Sequence, residues 1–195
     1  MKKMLSYLLI LILVLALVGC GGESAEQAVK NTFDAIKSND RETASKYIDY
    51  DELLNVGESG EASLGEMDEE SQEMAELILK HFDYKIISSK EEGETATVTA
   101  EITNVNMQTI MASFISEAFS LAFSGLNEEQ MAEEMSNKFT ELINREDNET
   151  VTKTVDIALT KDGNSWKVDM SEEAGDAIFG GMITLAQEMS DAFSQ

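Results

Sequence analysis

Groups able to make or break bonds are few in this chain of 195 residues, which holds one cysteine, Cys20, and one histidine, His81. A single imidazole cannot build a Ser-His-acid relay or a His-ligated metal centre, and Gly57/Gly60 lack the lysine of a phosphate-binding loop. His81 sits before Phe82 at the end of a predicted helix, where a cap or surface role is expected. Acidic pairs such as Asp49/Asp51 or Asp68/Glu69/Glu70 carry little information in so acidic a chain, and neither stretch has calcium-loop spacing. Asp34, Tyr47, Tyr50 and Tyr84 are a carboxylate and phenols of the kind acid–base work in a pocket can recruit, but their spacing reproduces no catalytic motif. Met107/Met111 and Met131/Met135 are pairs four apart, each on one helical face. Thioethers select Cu(I), but filling irregular core space is the commoner use of methionine. No metal and no cofactor is expected.

The thiol is the informative group. Cys20 closes Leu17-Val18-Gly19-Cys20, at the end of an apolar run from Leu5 that follows Lys2 and Lys3. A positive start and an apolar stretch shorter than the roughly 20 residues of a spanning helix fit a secretory signal. Gly19, Gly21 and Gly22 leave the backbone open to processing enzymes. Leu-x-Gly-Cys resembles the lipobox of bacterial lipoproteins, whose cysteine is diacylated on sulfur and becomes the mature N-terminus. The resemblance implies a cleaved signal over 1–19, lipidation of Cys20 and a short tether over 20–23. It also implies a place at the cell membrane, held by lipid on the extracytoplasmic face. Two acyl chains suffice for stable anchoring where one is marginal. Lipidation would also use the only thiol, so no disulfide and no cysteine catalysis remain.

A formal net charge of −24 and a pI near 4.1 exclude nucleic acid as a partner, which demands a basic footprint. Loss of the signal, which holds two lysines and no acid, makes the mature chain more negative still. Anionic headgroups would repel such a domain. It is therefore expected to stand off the bilayer with its working face turned away.

The remaining chain, 24–195, reads as one α+β domain. Ser24-Ala25-Glu26-Gln27 has capping-box form, and Ala25, Ala28, Val29, Phe33 and Ile36 recur on one face of a helix over 24–37. Ser38-Asn39-Asp40 is a turn that caps a short second helix. Residues 49–65 read as a loop and 66–82 as a helix. The period then changes to two: 84–90 and 95–106 form a hairpin, with Ala96, Val98, Ala100 and Ile102 on its buried face. Residues 107–124 return to a helix that is apolar around most of its girth, followed by an amphipathic helix capped at Asn127. A second hairpin runs over 150–170 through Asp162-Gly163, and a last helix over 172–193 is weakened by Gly180-Gly181.

The expected architecture is a curved antiparallel sheet of about four strands packed by helices, with an inserted helical pair at 107–145 and a C-terminal helix. The pattern Ala28-Val29…Phe33-Asp34-Ala35-Ile36…Asp40…Ala44…Tyr47, with Ala96-Thr97-Val98-Thr99-Ala100 and Gly163…Trp166-Lys167-Val168, resembles the nuclear transport factor 2-like (cystatin-like cone) lipoproteins of unknown function. The resemblance covers 24–106 and 150–170. The helical pair and the last helix are additions to that pattern, placed where they could close over the mouth of the cone.

The function expected is a non-enzymatic module that binds an apolar ligand or an envelope protein. Met111, Phe114, Phe119, Phe123 and Met135 would line a groove between sheet and helices. The alternative is a small cone-fold isomerase or hydrolase with a pocket carboxylate. The remaining partner is the membrane itself, reached through the lipid anchor.

Overall fold

The computed structural model describes residues 22–50, 53 and 69–193. The signal stretch, Cys20 and most of the acidic stretch after Asp49 lie outside the described residues. Seven helices have described bounds: α1 (Ala25–Lys37), α2 (Arg41–Ala44), α3 (Glu69–Leu79), α4 (Met107–Ala122), α5 (Glu128–Ile143), α6 (Glu172–Ile178) and α7 (Met182–Phe193). Four strands, β1 (Asp83–Glu92), β2 (Thr95–Val105), β3 (Thr150–Asp162) and β4 (Ser165–Asp169), form a curved antiparallel sheet in the order β1-β2-β3-β4. This is the α+β arrangement expected, with helices on one face of two paired hairpins.

Strand alternation decides that face. Ala96, Val98, Ala100 and Ile102 on β2 meet Leu159, Ile157, Val155 and Lys153 on β3 in register. Trp166 and Val168 continue the buried face on β4. Threonines 95, 97, 152, 154 and 160 point to solvent on the other side. Helix α1 crosses the inner face against β1, β2 and β4, while α6 covers β2 and β3. Phe33 meets the rings of Phe82 and Tyr84 edge-on at 5.7 and 5.0 Å, and Trp166, Phe33, Phe82 and Ile178 are wholly buried. The buried side chains beneath the sheet belong to one hydrophobic cluster.

Local chemistry explains most boundaries. Ser24 Oγ accepts from the backbone N–H of Gln27, but Gln27 turns its amide to Asn31, so the box at α1 is only half made. At α5 both halves form between Asn127 and Gln130. Tyr50 and Leu53, read from sequence as the start of a loop, are helical and buried. Arg41 holds Tyr50 from above at 5.2 Å while bonding Glu76 on α3 at 2.6 Å.

The last helix is a correction: it is two. Gly180 and Gly181 adopt φ of +63° and +84°, and a Cβ on Gly180 would overlap the carbonyl of Val105. The break turns the apolar set apart, so that Ile178 and Ile183 are buried while Met182 and Met189 are exposed.

One buried polar side chain ties three elements together. Asn104, on the inner face of β2, donates to the carbonyls of Ile78 at the end of α3 and Ile178 at the end of α6, and its Oδ1 accepts from Val105 N–H at 2.7 Å. Replacement by leucine keeps the bulk but leaves these groups dry and unpaired. Asn104→Leu is expected to lower the unfolding free energy by about 2–3 kcal/mol, measured by urea unfolding; a loss well under 1 kcal/mol would show that the bonds are dispensable.

Candidate functional site

The sheet has two ends, and they differ in character. At one end the β1–β2 turn lies beside the β3–β4 turn, where Lys161 N–H donates to the Glu94 carbonyl at 2.8 Å. Gly22 sits against Asn164 at that same end. At the other end β2 finishes at Val105 opposite Thr150, Asn106 N–H bonds the Glu149 carbonyl, and Met107 N–H bonds the Gly180 carbonyl. Helices α4, α5 and α7 all start or finish there. The two ends are separated by the length of β2, roughly 30 Å.

The helical pair does not lie over the sheet. Its buried residues are Met107 and Ile110 on α4 and Phe139, Leu142 and Ile143 on α5, all in the turns nearest the sheet. Neither helix packs along a strand. Phe114 meets Phe139 edge-on at 5.6 Å and, with Met111, is half-buried against the core. Beyond Phe114 the hairpin projects. Phe119 is 67% exposed and Phe123 88%, while Ile115 on α4 and Met182 and Met189 on the neighbouring α7 are about two-fifths exposed.

The five residues expected to line a groove are thus split between two surroundings. Met111, Phe114 and Met135 are half-buried, with Phe114 joining the pair through Phe139, while Phe119 and Phe123 face outward. Three surface clefts of about 560, 390 and 210 Å³ open elsewhere and are lined by none of these five. Charge on the three helices that carry this face is mostly negative. Glu117 on α4, Glu128, Glu129, Glu133 and Glu134 on α5, and Glu188 and Asp191 on α7 belong to the same helices, and the one cation close to Glu117 and Glu134 among the described residues is Lys138, which pairs with Glu141.

The acid–base set does not converge on a cavity floor. Tyr84 donates to Asp34 at 2.8 Å on the outside of α1, Tyr47 donates to Glu23 at 2.9 Å, and Tyr50 reaches Asn39 at 3.4 Å. Burial and, for Tyr84, the Asp34 carboxylate push these phenols up, away from any proton exchange near neutrality. The cleft of about 390 Å³ does bring Asp34, Asp40 and Tyr47 to one wall, but it is an open surface feature. His81 Nε2 lies 3.1 Å from Asn144 Oδ1 and joins the ends of α3 and α5. Met107 is wholly buried beside Gly180, which accords with a packing role. Among the described residues no group of acids, His and Cys is placed to hold a metal ion, and no helix is long and apolar enough to cross a membrane.

Sequence reading missed one charged site. Asp176 in α6 is 4% exposed, pairs with Lys153, and accepts the backbone N–H of Thr184 at 2.9 Å and its hydroxyl at 2.7 Å. Burial alone would raise this carboxyl, yet the Lys153 ammonium and the two Thr184 donors outweigh it and hold it below the usual carboxylate range. The signal was present: Lys153 occupies an inward position between Val151 and Val155, and Asp176 interrupts an Ala/Gly/Ile/Phe run.

None of the curated proteins matches the chain. Among solved structures it is similar to a candidate lipoprotein (YcdA) from Bacillus subtilis subsp. subtilis str. 168, with 15% identity and a TM-score of 0.46 over 74% of this chain. The chain spans 44% of that protein's length. The sequence pattern of one family matches residues 18–118, more than half of the chain, from just before Cys20 through α1, the first hairpin and most of α4. The chain therefore belongs to the family described as Domain of unknown function (DUF4878).

Proposed function

We propose that this protein is a lipid-anchored, extracytoplasmic, non-enzymatic module of nuclear transport factor 2-like fold that docks a partner protein through the outer face of α4 and the adjoining α7. The cone-like reading is supported by α1 lying across the inner face of a curved antiparallel sheet. The docking reading rests on a single observation: an apolar helical face stands uncovered at the end of the sheet remote from Gly22. Contiguous exposed apolar patches of this kind mark interaction sites. Phe119 and Phe123 would each contribute about 1.5–3 kcal/mol if covered.

The acidic rim selects the occupant. A second copy would bring the same run of glutamates against itself, whereas an apolar surface ringed by Lys or Arg would be steered in and matched. The occupant is a protein segment of that chemistry.

Two measurements test the reading. Cys20→Ser should move the protein from the membrane to the soluble fraction; unchanged partition would remove the anchor. The Cys20→Ser protein should bind an amphipathic Leu/Lys helix saturably, and less tightly as salt rises. Phe119→Ser with Phe123→Ser should weaken that binding at least about tenfold, which corresponds to about 1.4 kcal/mol. Equal binding of a Leu/Glu helix of the same pattern, or no effect of the double variant, overturns the docking surface. Sedimentation as a dimer that the double variant dissolves would replace it with self-association.

A further inference from the structure

The chain enters the fold through four successive positions, the first lying close against the β3–β4 turn and the next three hydrogen-bonded. Gly22 lies flush on the β3–β4 turn, where any Cβ would overlap the backbone carbonyl of Asn164. The Glu23 carbonyl accepts the indole N–H of Trp166 at 2.9 Å. The Glu23 carboxylate accepts the Tyr47 hydroxyl at 2.9 Å and the Asn31 amide, which also reaches Tyr47 Oη at 3.1 Å. Ser24 caps α1, and the next backbone N–H, that of Ala25, donates to Glu91 Oε1 at 2.8 Å from an inward position of β1. Starting a helix requires only the cap. Here Glu23, the residue before the cap, is also bonded to Trp166 on β4, to Tyr47 and to Asn31, and Gly22 before it lies close against the β3–β4 turn.

We infer that residues 22–25 are a clamp that sets the orientation of the domain on its membrane; the inference rests on the reading of Cys20 as the lipidated residue. An unclamped tether of 20–23 would let the domain swing through a wide cone. With Glu23 fastened and Gly22 close against Asn164, only Gly21 lies between Cys20 and the body of the fold, a reach of about 7 Å from Cys20 to Gly22. The β1–β2 and β3–β4 turns then face the bilayer. The strands run outward from it, and the α4–α5 tip is held on the far side, at least the length of β2 away. Glycine at 22 is the residue that permits so close a seat on Asn164.

The same geometry gives each helix face a meaning. A domain free to roll could lay Phe119 and Phe123 into lipid, where their burial would compete with any partner. The clamp prevents this by placing the opposite end of the sheet at the headgroups. The exposed aromatic residues remain in the aqueous space outside.

The test uses the lipidated chain on phosphatidylcholine vesicles that carry a nickel-chelating headgroup. Nitroxides are attached at Asp162→Cys, the last residue of β3 beside the β3–β4 turn, and at Ser124→Cys, at the hairpin tip, one at a time; the acylated Cys20 does not compete for the label. Nickel relaxation should be at least severalfold stronger at 162 than at 124. Gly22→Val with Glu23→Ala should bring the two values within about twofold while the protein stays vesicle-bound. Release should also shift the emission of Trp166, the only tryptophan, to the red, with far-UV circular dichroism unchanged to show that the variant folds. Vesicle attachment with equal relaxation at both sites overturns the clamp. So does an unchanged relaxation ratio together with unchanged emission in the double variant. Failure of the unaltered chain to attach, with Cys20 present, removes the lipid-anchor reading and the orientation with it.

Discussion

Trp166→Ala is expected to lower the unfolding free energy by about 3–5 kcal/mol, a loss typical of a large aromatic side chain removed from a packed core. The indole is wholly buried on β4, a strand of five residues. That strand pairs with β3 on one side, and on the other Val168 N–H bonds the Tyr47 carbonyl at 2.8 Å. So short a strand has few contacts to spare. Lys161 lies 5.1 Å above the ring, and the ring N–H holds Glu23, so the substitution opens a cavity and frees the chain entry together. Trp166→Phe separates the two effects. It keeps most of the volume and loses the hydrogen bond, and is expected to cost about 1–2 kcal/mol. Urea unfolding followed by far-UV circular dichroism measures both; an alanine variant within 1 kcal/mol of the parent would show that β4 is not integral to the core.

Asp176→Ala is the second large effect, expected at about 3 kcal/mol. Removing one member of a buried ion pair costs about 3–5 kcal/mol because the other charge is left without compensation. Here the lower figure applies, since the Lys153 side chain is 32% exposed against 6% for Asp176. Two Thr184 donors are also orphaned, which loosens α7 from α6. The carboxyl is held below its unfolded value, so its stabilisation is complete above about pH 4 and is lost as pH falls through the folded value. The gap between parent and variant should therefore be wide at pH 7 and narrow steadily as pH is lowered below the ordinary carboxylate value. A gap that does not change with pH would show that shape, not charge, is what Asp176 supplies. Asp176→Leu with Lys153→Met, an apolar pair at the same place, should lose less than Asp176→Ala alone.

Legibility in the sequence followed the range of the forces concerned. The alternation of Ala96, Val98, Ala100 and Ile102, the caps at Ser24 and Asn127 and the Asp162-Gly163 turn are contacts between residues a few positions apart, and each gave its element within two residues. Gly180-Gly181 was visible as a weak point, but whether it bends or breaks a helix depends on the Val105 carbonyl some 75 residues away in sequence. The apolar girth of α4 was equally plain. Its meaning was not, because apolar residues in a sandwiched helix and in an uncovered one have the same composition.

What the sequence determined by itself is the class of the molecule and its address as an expectation: the Cys20 motif, the acidic surface, four strands in two hairpins and helices to cover one face. Only the tertiary structure decided which end of the sheet each feature occupies. It set Gly22 and Glu23 on Trp166, Tyr47 and Asn164 at one end and Phe119 and Phe123 in the open at the other. Periodicity fixes the face a side chain takes on its own element, whereas the ends of a sheet are distinguished by contacts between residues as far apart as Glu23 and Trp166. Such contacts form only once the strands have paired, so no local pattern records them.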